Sequence, residues 1–143
     1  MEDSIKELYC SKVKEEPFAR LLGIVLKEVD EGYALCEMEY DERLDNIYGM
    51  MHGGAIFSLI DEAFEISANS YENVAYALDM NVTYLRAPKK HEKLVAESRL
   101  VSKTKRQALF FITVRQGDEI IATCKALASI RNEGIPFRES IRA

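Results

Sequence analysis

A chain of 143 residues has room for one domain and for a core that needs no disulfide or metal staple, since roughly two-thirds of the unfolded surface can be buried at that size. Hydrophobic residues at 48% and charged residues at 30% describe an ordinary globular protein, which excludes a disordered chain and a membrane-spanning one. A formal net charge of -5 excludes general attraction to nucleic-acid phosphates, so no nucleic-acid partner is expected.

The N-terminus reads MEDSIKELYC, acidic and without the apolar run that a secretory leader requires, which points to a cytoplasmic location and no membrane association. Ile5, Leu8, Tyr9 and Lys12 fall at helical spacing, and Pro17-Phe18 opens a short helix through Leu22 that Gly23 stops. Residues 1–22 are therefore a helical N-terminal cover on a single domain of residues 1–143. Cys10, Cys36 and Cys124 are odd in number and lack C-x-x-C spacing, so they read as core thiols. Ile24 to Val29 and Tyr33 to Tyr40 flank the turn cluster Asp30-Glu31-Gly32 and read as a hairpin. Asp41 to Met51 has no sustained period and reads as a loop feeding a helix.

That helix, from Gly54 to about Tyr71, is the clearest element: Ile56, Leu59, Ile60, Ala63, Phe64 and Ser67 form one stripe at three- and four-residue spacing, with no interior proline. Four β-type stretches follow, Val74 to Leu85, Leu94 to Ser102, Gln107 to Arg115 and Ile120 to Ile130, separated by polar, basic and Gly-containing connections. Strands this close in sequence are expected to be antiparallel neighbours. The fold class is α+β, with one long helix across one antiparallel sheet of five or six strands. A sheet covered by one helix keeps a second apolar face, so the chain is expected to self-associate as a homodimer at least.

The segment Asn46-Ile47-Tyr48-Gly49-Met50-Met51-His52-Gly53-Gly54 precedes the helix. Amides in a first helical turn lack intrahelical acceptors, so Gly53 and Gly54 either hold a developing oxyanion or simply form a tight helix entry. Asp61 lies eight residues beyond Gly53 in a helix committed to burial. It reads either as a base or nucleophile in a dry pocket or, with Glu62 and Glu65, as part of a solvated face. The like-charge spacing of Asp61 and Glu65 weakens the solvated reading. His52 could bond a substrate carbonyl, orient the Gly53 amide or cap the helix. With two histidines and no H-E-x-x-H or Cys/His pairing, no metal site is expected, and no cofactor-binding glycine motif is present. Basic residues gather at Arg86, Lys89, Lys90 and Lys93 and again at Lys103, Lys105 and Arg106. They read as phosphate contacts or as solubilising loop charge.

Asn46-x-x-Gly49-x-x-His52-Gly53-Gly54-Ala55-Ile56-Phe57-x-Leu59-x-Asp61-x-Ala63, followed by Asp79-Met80-Asn81-Val82-Thr83-Tyr84-Leu85-x-x-Pro88, resembles the hotdog-fold thioesterases of the 4-hydroxybenzoyl-CoA type, in their phenylacetate-pathway branch. The resemblance runs from about Pro17 to Ile130. It implies a hotdog fold, dimers whose sheets join edge to edge, tetramers of two dimers, and an active site at the dimer interface. It further implies that the Gly53 amide polarises a thioester carbonyl, that Asp61 comes from the neighbouring subunit to attack or to activate water, and that Asn46 orients the attacking group.

The resemblance favours hydrolysis of an aryl- or medium-chain acyl-CoA without a cofactor. His52 assists. Gly54, Phe57, Phe64, Asp79, Asn81 and Leu85 are the expected substrate contacts, and Lys89, Lys90, Lys105 and Arg106 the expected contacts to CoA phosphates. In some relatives a serine stands where this chain has Ala77, which removes one water-orienting group. Two other functions share the fold: a non-catalytic acyl-CoA binding or regulatory protein, and a hydroxyacyl thioester dehydratase, for which Asp61 has no evident histidine partner.

Overall fold

The computed structural model describes residues 1–141. Helices α1 (Asp3–Glu15) and α2 (Pro17–Leu22) lead into strands β1 (Ile24–Asp30) and β2 (Tyr33–Met38), and helix α3 (Gly53–Asn69) is followed by β3 (Asn73–Tyr84), β4 (Leu94–Lys103), β5 (Gln107–Gln116) and β6 (Glu119–Gly134). The expected hairpin, the long helix and the four later strands are all present. The six strands form one sheet in the order β1-β2-β4-β5-β6-β3, and every pairing is antiparallel.

One expected neighbour relation is wrong. β3 does not pair with β4, which follows it, but with β6, Tyr84 opposite Ala122 and Ala75 opposite Ile130. β2 and β4 then lie side by side in the middle of the sheet. The nine residues between β3 and β4 are too long for a tight hairpin, and the polar loop lets the chain cross from one edge of the sheet to its centre.

Period-two alternation sends Ala34, Cys36 and Met38 of β2, Phe110, Ile112 and Val114 of β5, and Ala122, Cys124, Ala126 and Ala128 of β6 to one buried face. The stripe of α3 packs against it: Leu59, Ile60, Ala63 and Ser67 have no exposed surface, and Phe64 meets Phe110 edge to face at 5.6 Å. The alanines of β6 leave room for the helix to approach the sheet. At the polar end of this stripe Ser67 and Ser98 satisfy each other across 2.7 Å, as buried hydroxyls must. The helix stops two residues short of Tyr71. There Asn69 accepts the Ala75 amide at 2.8 Å and donates to the Glu65 carbonyl, and Tyr9 of α1 donates its hydroxyl to the Asn69 carbonyl at 2.6 Å.

The opposite face of the sheet differs from the expected second apolar face. It mixes Leu35, Leu109 and Phe111 with Glu37, Glu97, Arg99 and Lys125, paired in part as Arg99 with Glu97 at 2.8 Å. Exposed apolar side chains instead concentrate on edge strand β3 and just beyond it, where Tyr76, Leu78, Tyr84 and Leu85 are each at least half exposed. Among the described residues no helix is long and apolar enough to cross a membrane. Cys36 and Cys124 are buried free thiols and Cys10 is half-buried.

Candidate active site

The loop before α3 is closed by its own side chains. The Asn46 carboxamide oxygen accepts the Tyr48 and Met50 amides at 2.9 and 3.1 Å, and the Asn46 amide donates to the Met50 carbonyl. This is an Asx turn, the local alternative to secondary structure that asparagine favours. It leaves the carboxamide nitrogen as the free polar end, with no partner among the described residues. The His52 amide donates to the Leu44 carbonyl at 2.8 Å, which anchors the end of the loop.

His52 is the N-cap of α3, and its Nδ1 accepts the Gly54 amide at 2.8 Å. The Gly54 amide is therefore engaged, and the oxyanion role expected of the two glycines narrows to Gly53, whose N–H has no acceptor among the described residues. A Cβ at Gly54 would lie 3.0 Å from His52 Nδ1. One at Gly53 would lie 3.4 Å from the ring of Tyr84, whose hydroxyl donates to the Gly53 carbonyl at 3.0 Å. Gly54 is thus tightly approached, whereas a side chain at Gly53 would make ordinary contact with Tyr84.

Asn46, Gly53 and Leu85 line one cavity of about 310 Å³ with Tyr84, Arg86 and Pro88. His52 and Gly54 face another of about 300 Å³, on the Phe18 and Leu22 side. Asp61 and Phe64 belong to a third cleft of about 580 Å³, walled by Tyr9 and Val13 of α1, by Tyr76 and Ala77 of β3, and by Ile135 and Phe137. Within one chain the eight residues from Gly53 to Asp61 are about 12 Å along the helix and about 80° around it, so the donor and the acid open onto different spaces. Half-buried Phe57 lines none of the three.

Asp61 makes no hydrogen bond or ion pair among the described residues, and desolvation, followed by the nearby Glu16 carboxylate, raises its pKa above the usual carboxylate range. Glu65, one turn further, opens onto the same cleft, where burial and then Glu16 and Asp61 raise it to about 7. Glu62 is 2% exposed and is pushed up to about 9 by burial, by a carboxyl contact with Glu16 and by its acidic neighbours. Of the three acids of α3, Glu62 is buried and Asp61 half-buried, and only Glu65 is exposed, so they do not form one solvated face. Glu16 at the α1–α2 corner was invisible as their companion, because only the fold brings it across. Tyr84 was equally hidden, since facing on an edge strand cannot be read without its register.

The remaining expected contacts are scattered. Asp79 and Asn81 are exposed on β3, opposite Leu127 and Lys125. Lys89 pairs with Glu119 at 3.7 Å and Lys90 with Asp45 at 3.6 Å, so neither is a free cation. Lys105 and Arg106 have no acidic partner among the described residues and sit in the β4–β5 turn beside Ser129. The ten residues of β4 separate the two basic clusters by about 33 Å, so one chain cannot bring both to one phosphate group.

The model of the thioesterase superfamily matches residues 48–123. Human acyl-coenzyme A thioesterase 13 is 31% identical over 108 residues, covering 73% of this chain and 77% of that protein. The Escherichia coli acyl-coenzyme A thioesterase PaaI is 30% identical over 96 residues, 67% of this chain and 69% of its own. The solved structure of the E. coli PaaI protein from the phenylacetic acid degradation operon superposes with a TM-score of 0.84 at 25% identity, over 87% of this chain and 91% of that one. The matched segment carries the end of the loop, the free Gly53 amide and the acid of α3, and the chain belongs to the thioesterase superfamily, as an enzyme of its hotdog fold.

Proposed function

We propose that the chain hydrolyses an acyl-CoA thioester, with an aryl or medium-length acyl group, to the free acid and CoA at a site completed by two copies. The observation that carries this reading is the division of the chemistry: a free helix-terminal amide at Gly53 opens on one cavity and an unpaired acid, Asp61, on another. Apposing two copies along the long apolar edge of β3 buries Tyr76, Leu78 and Tyr84, pairs the open edge, and lets one copy's Gly53 face the other's Asp61. Two such dimers make the tetramer that the resemblance implies.

In that arrangement the Gly53 N–H, reinforced by the α3 dipole, stabilises the carbonyl oxygen as it gains charge. Asp61 takes the proton of the attacking water, or attacks the carbonyl carbon itself; the C–S bond breaks and CoA leaves as thiolate, and in the second route water then cleaves the acyl-aspartyl anhydride to the free acid and regenerates Asp61. The free carboxamide nitrogen of Asn46 orients the attacking oxygen. Desolvation that raises Asp61 makes it a stronger base once ionised. Phe64, Tyr9 and Phe137 provide apolar walls for the acyl group. Arg86 beside Gly53 takes a CoA phosphate, as do Lys89 and Lys90, once Arg86 and Lys89 exchange their exposed pairs with Glu119 and Lys90 its pair with Asp45. Lys105 and Arg106 would act from the partner copy.

Ala77 favours a second reading. It lies in the Asp61 cleft where some relatives offer a hydroxyl, so a chain that binds acyl-CoA without turning it over has a structural basis. CoA release from a panel of aryl, short, medium and long acyl-CoAs, measured for the native chain and for Asp61→Asn in matched oligomers, separates the two. Turnover abolished by Asp61→Asn supports hydrolysis, whereas tight binding with no turnover in the native chain sinks it.

A further inference from the structure

We propose that Glu16, Glu62 and Glu65 form a binding site for one hard divalent cation at the junction of the N-terminal cover with α3. Each residue places a carboxylate oxygen within 4.8 Å of the other two. Calcium, manganese and magnesium hold oxygen ligands at roughly 2.0–2.6 Å, so an ion at the centre spans separations of this size. A set made of carboxylates alone selects these ions over zinc or copper, which favour nitrogen and sulfur.

The observation that points to a ligand is Glu62. Its side chain is 2% exposed, and its Oε1 is fully buried without a hydrogen-bond partner. A buried carboxylate aimed at two others costs stability unless a proton or a cation joins it. Among the described residues no basic side chain does so: Lys12, the basic residue lining the adjoining cleft, is turned to Glu15 at 3.4 Å.

All three ligands stand on rigid supports. Glu62 and Glu65 are one turn apart on the same side of α3. Glu16 is both the C-cap of α1 and the N-cap of α2, its amide donating to the Val13 carbonyl at 3.2 Å and its carbonyl accepting from Arg20 at 3.0 Å. Glu65 is open to solvent, which gives an ion an entry path and room for the water ligands these metals retain. An ion here joins residues 46 and 49 positions apart in sequence and fastens the cover onto the central helix, beside Asp61 and without using it.

The test is a Mn²⁺ titration followed by electron paramagnetic resonance, on the full chain stripped of metal and without substrate, so that hydrolysis plays no part in the readout. The expected result is one saturable site per chain, competed by Ca²⁺ or Mg²⁺, with a melting temperature that rises with Mn²⁺. Glu62→Gln conserves volume and removes the buried charge, so it folds. It should weaken Mn²⁺ binding at least about tenfold and abolish the thermal response. Glu65→Gln, at an exposed position, should weaken binding likewise. No saturable binding by the folded native chain, or binding unchanged in Glu62→Gln, overturns the site. A native chain whose melting temperature is indifferent to Mn²⁺ would mean that a shared proton neutralises the cluster, which also overturns it.

Discussion

The two ends of the chemistry on α3 are built in opposite ways. At the N-terminus every constraint is local: Asn46 closes its own loop, His52 caps Gly54 two residues on, and the free Gly53 amide follows from the helix having a first turn. In the middle of the helix the character of Asp61, Glu62 and Glu65 comes from distant parts of the chain, from Glu16 at the α1–α2 corner and from the walls provided by α1, β3 and residues 133–137. The first region needs only a short sequence to be correct. The second needs the whole fold, and in the proposed mechanism Asp61 meets the thioester only across two copies. A donor assembled locally and an acid that depends on the whole fold is the contrast on which the proposed shared site rests.

Asp61→Asn gives the largest effect expected from this contrast. It removes the base or nucleophile and leaves the cleft its shape, so kcat for CoA release should fall by roughly 10²–10⁴ with unchanged oligomer size. A loss under tenfold would move the chemistry to another acid. The division between copies has its own signature. Asp61→Asn and Asn46→Ala chains, unfolded and refolded together at equal ratio, should recover about a quarter of native turnover, since half the dimers are mixed and each has one intact site. Mixed dimers that remain inactive would place both halves of the site within one chain.

The same contrast separates what could be read in the sequence from what could not. The stripe Ile56, Leu59, Ile60, Ala63, Phe64, Ser67 announces α3 because helical period and burial are both local properties. The β1–β2 hairpin is announced by its turn. The pairing of β3 with β6 was not legible, since nothing in either strand specifies a partner across about fifty residues, and nearest-neighbour pairing was the wrong choice. In the site, the glycine pair and Asp61 stood out by residue type. Glu62 looked like solvated charge because its sequence neighbours include other acids, yet the fold leaves it 2% exposed. The second apolar face expected of the sheet was misread too, since the outer face mixes apolar and charged residues while exposed apolar side chains lie on edge strand β3, and composition does not tell an edge from a face.

A smaller effect comes from Glu62. With its pKa raised to about 9, the folded chain keeps a proton that the unfolded chain releases in the ordinary carboxyl range near 4.3. The folded state binds more protons over that interval, so the contribution to stability is whole at acid pH and is lost as pH climbs toward 9. In chelator, Glu62→Gln should be more stable than the native chain by about 1–3 kcal/mol at pH near 9, and the gap should close toward pH near 4. Urea midpoints across that range measure it. A gap that does not change with pH would mean that the Glu62 charge is compensated.

The smallest effect tests the local end. His52 Nδ1 accepts the Gly54 amide at 2.8 Å as the N-cap of α3, so its loss should behave as the loss of a cap, not of a catalytic group. His52→Ala should cost about 1 kcal/mol in unfolding free energy, and His52→Asn, which keeps an acceptor of similar reach, should return most of it. Turnover in both variants should stay within about tenfold of native, because the Gly53 amide still points out of the first turn. If His52→Ala instead removes turnover as thoroughly as Asp61→Asn while the melting temperature holds, the imidazole touches the reacting atoms. The N-terminal end would then no longer be a donor that local geometry alone provides.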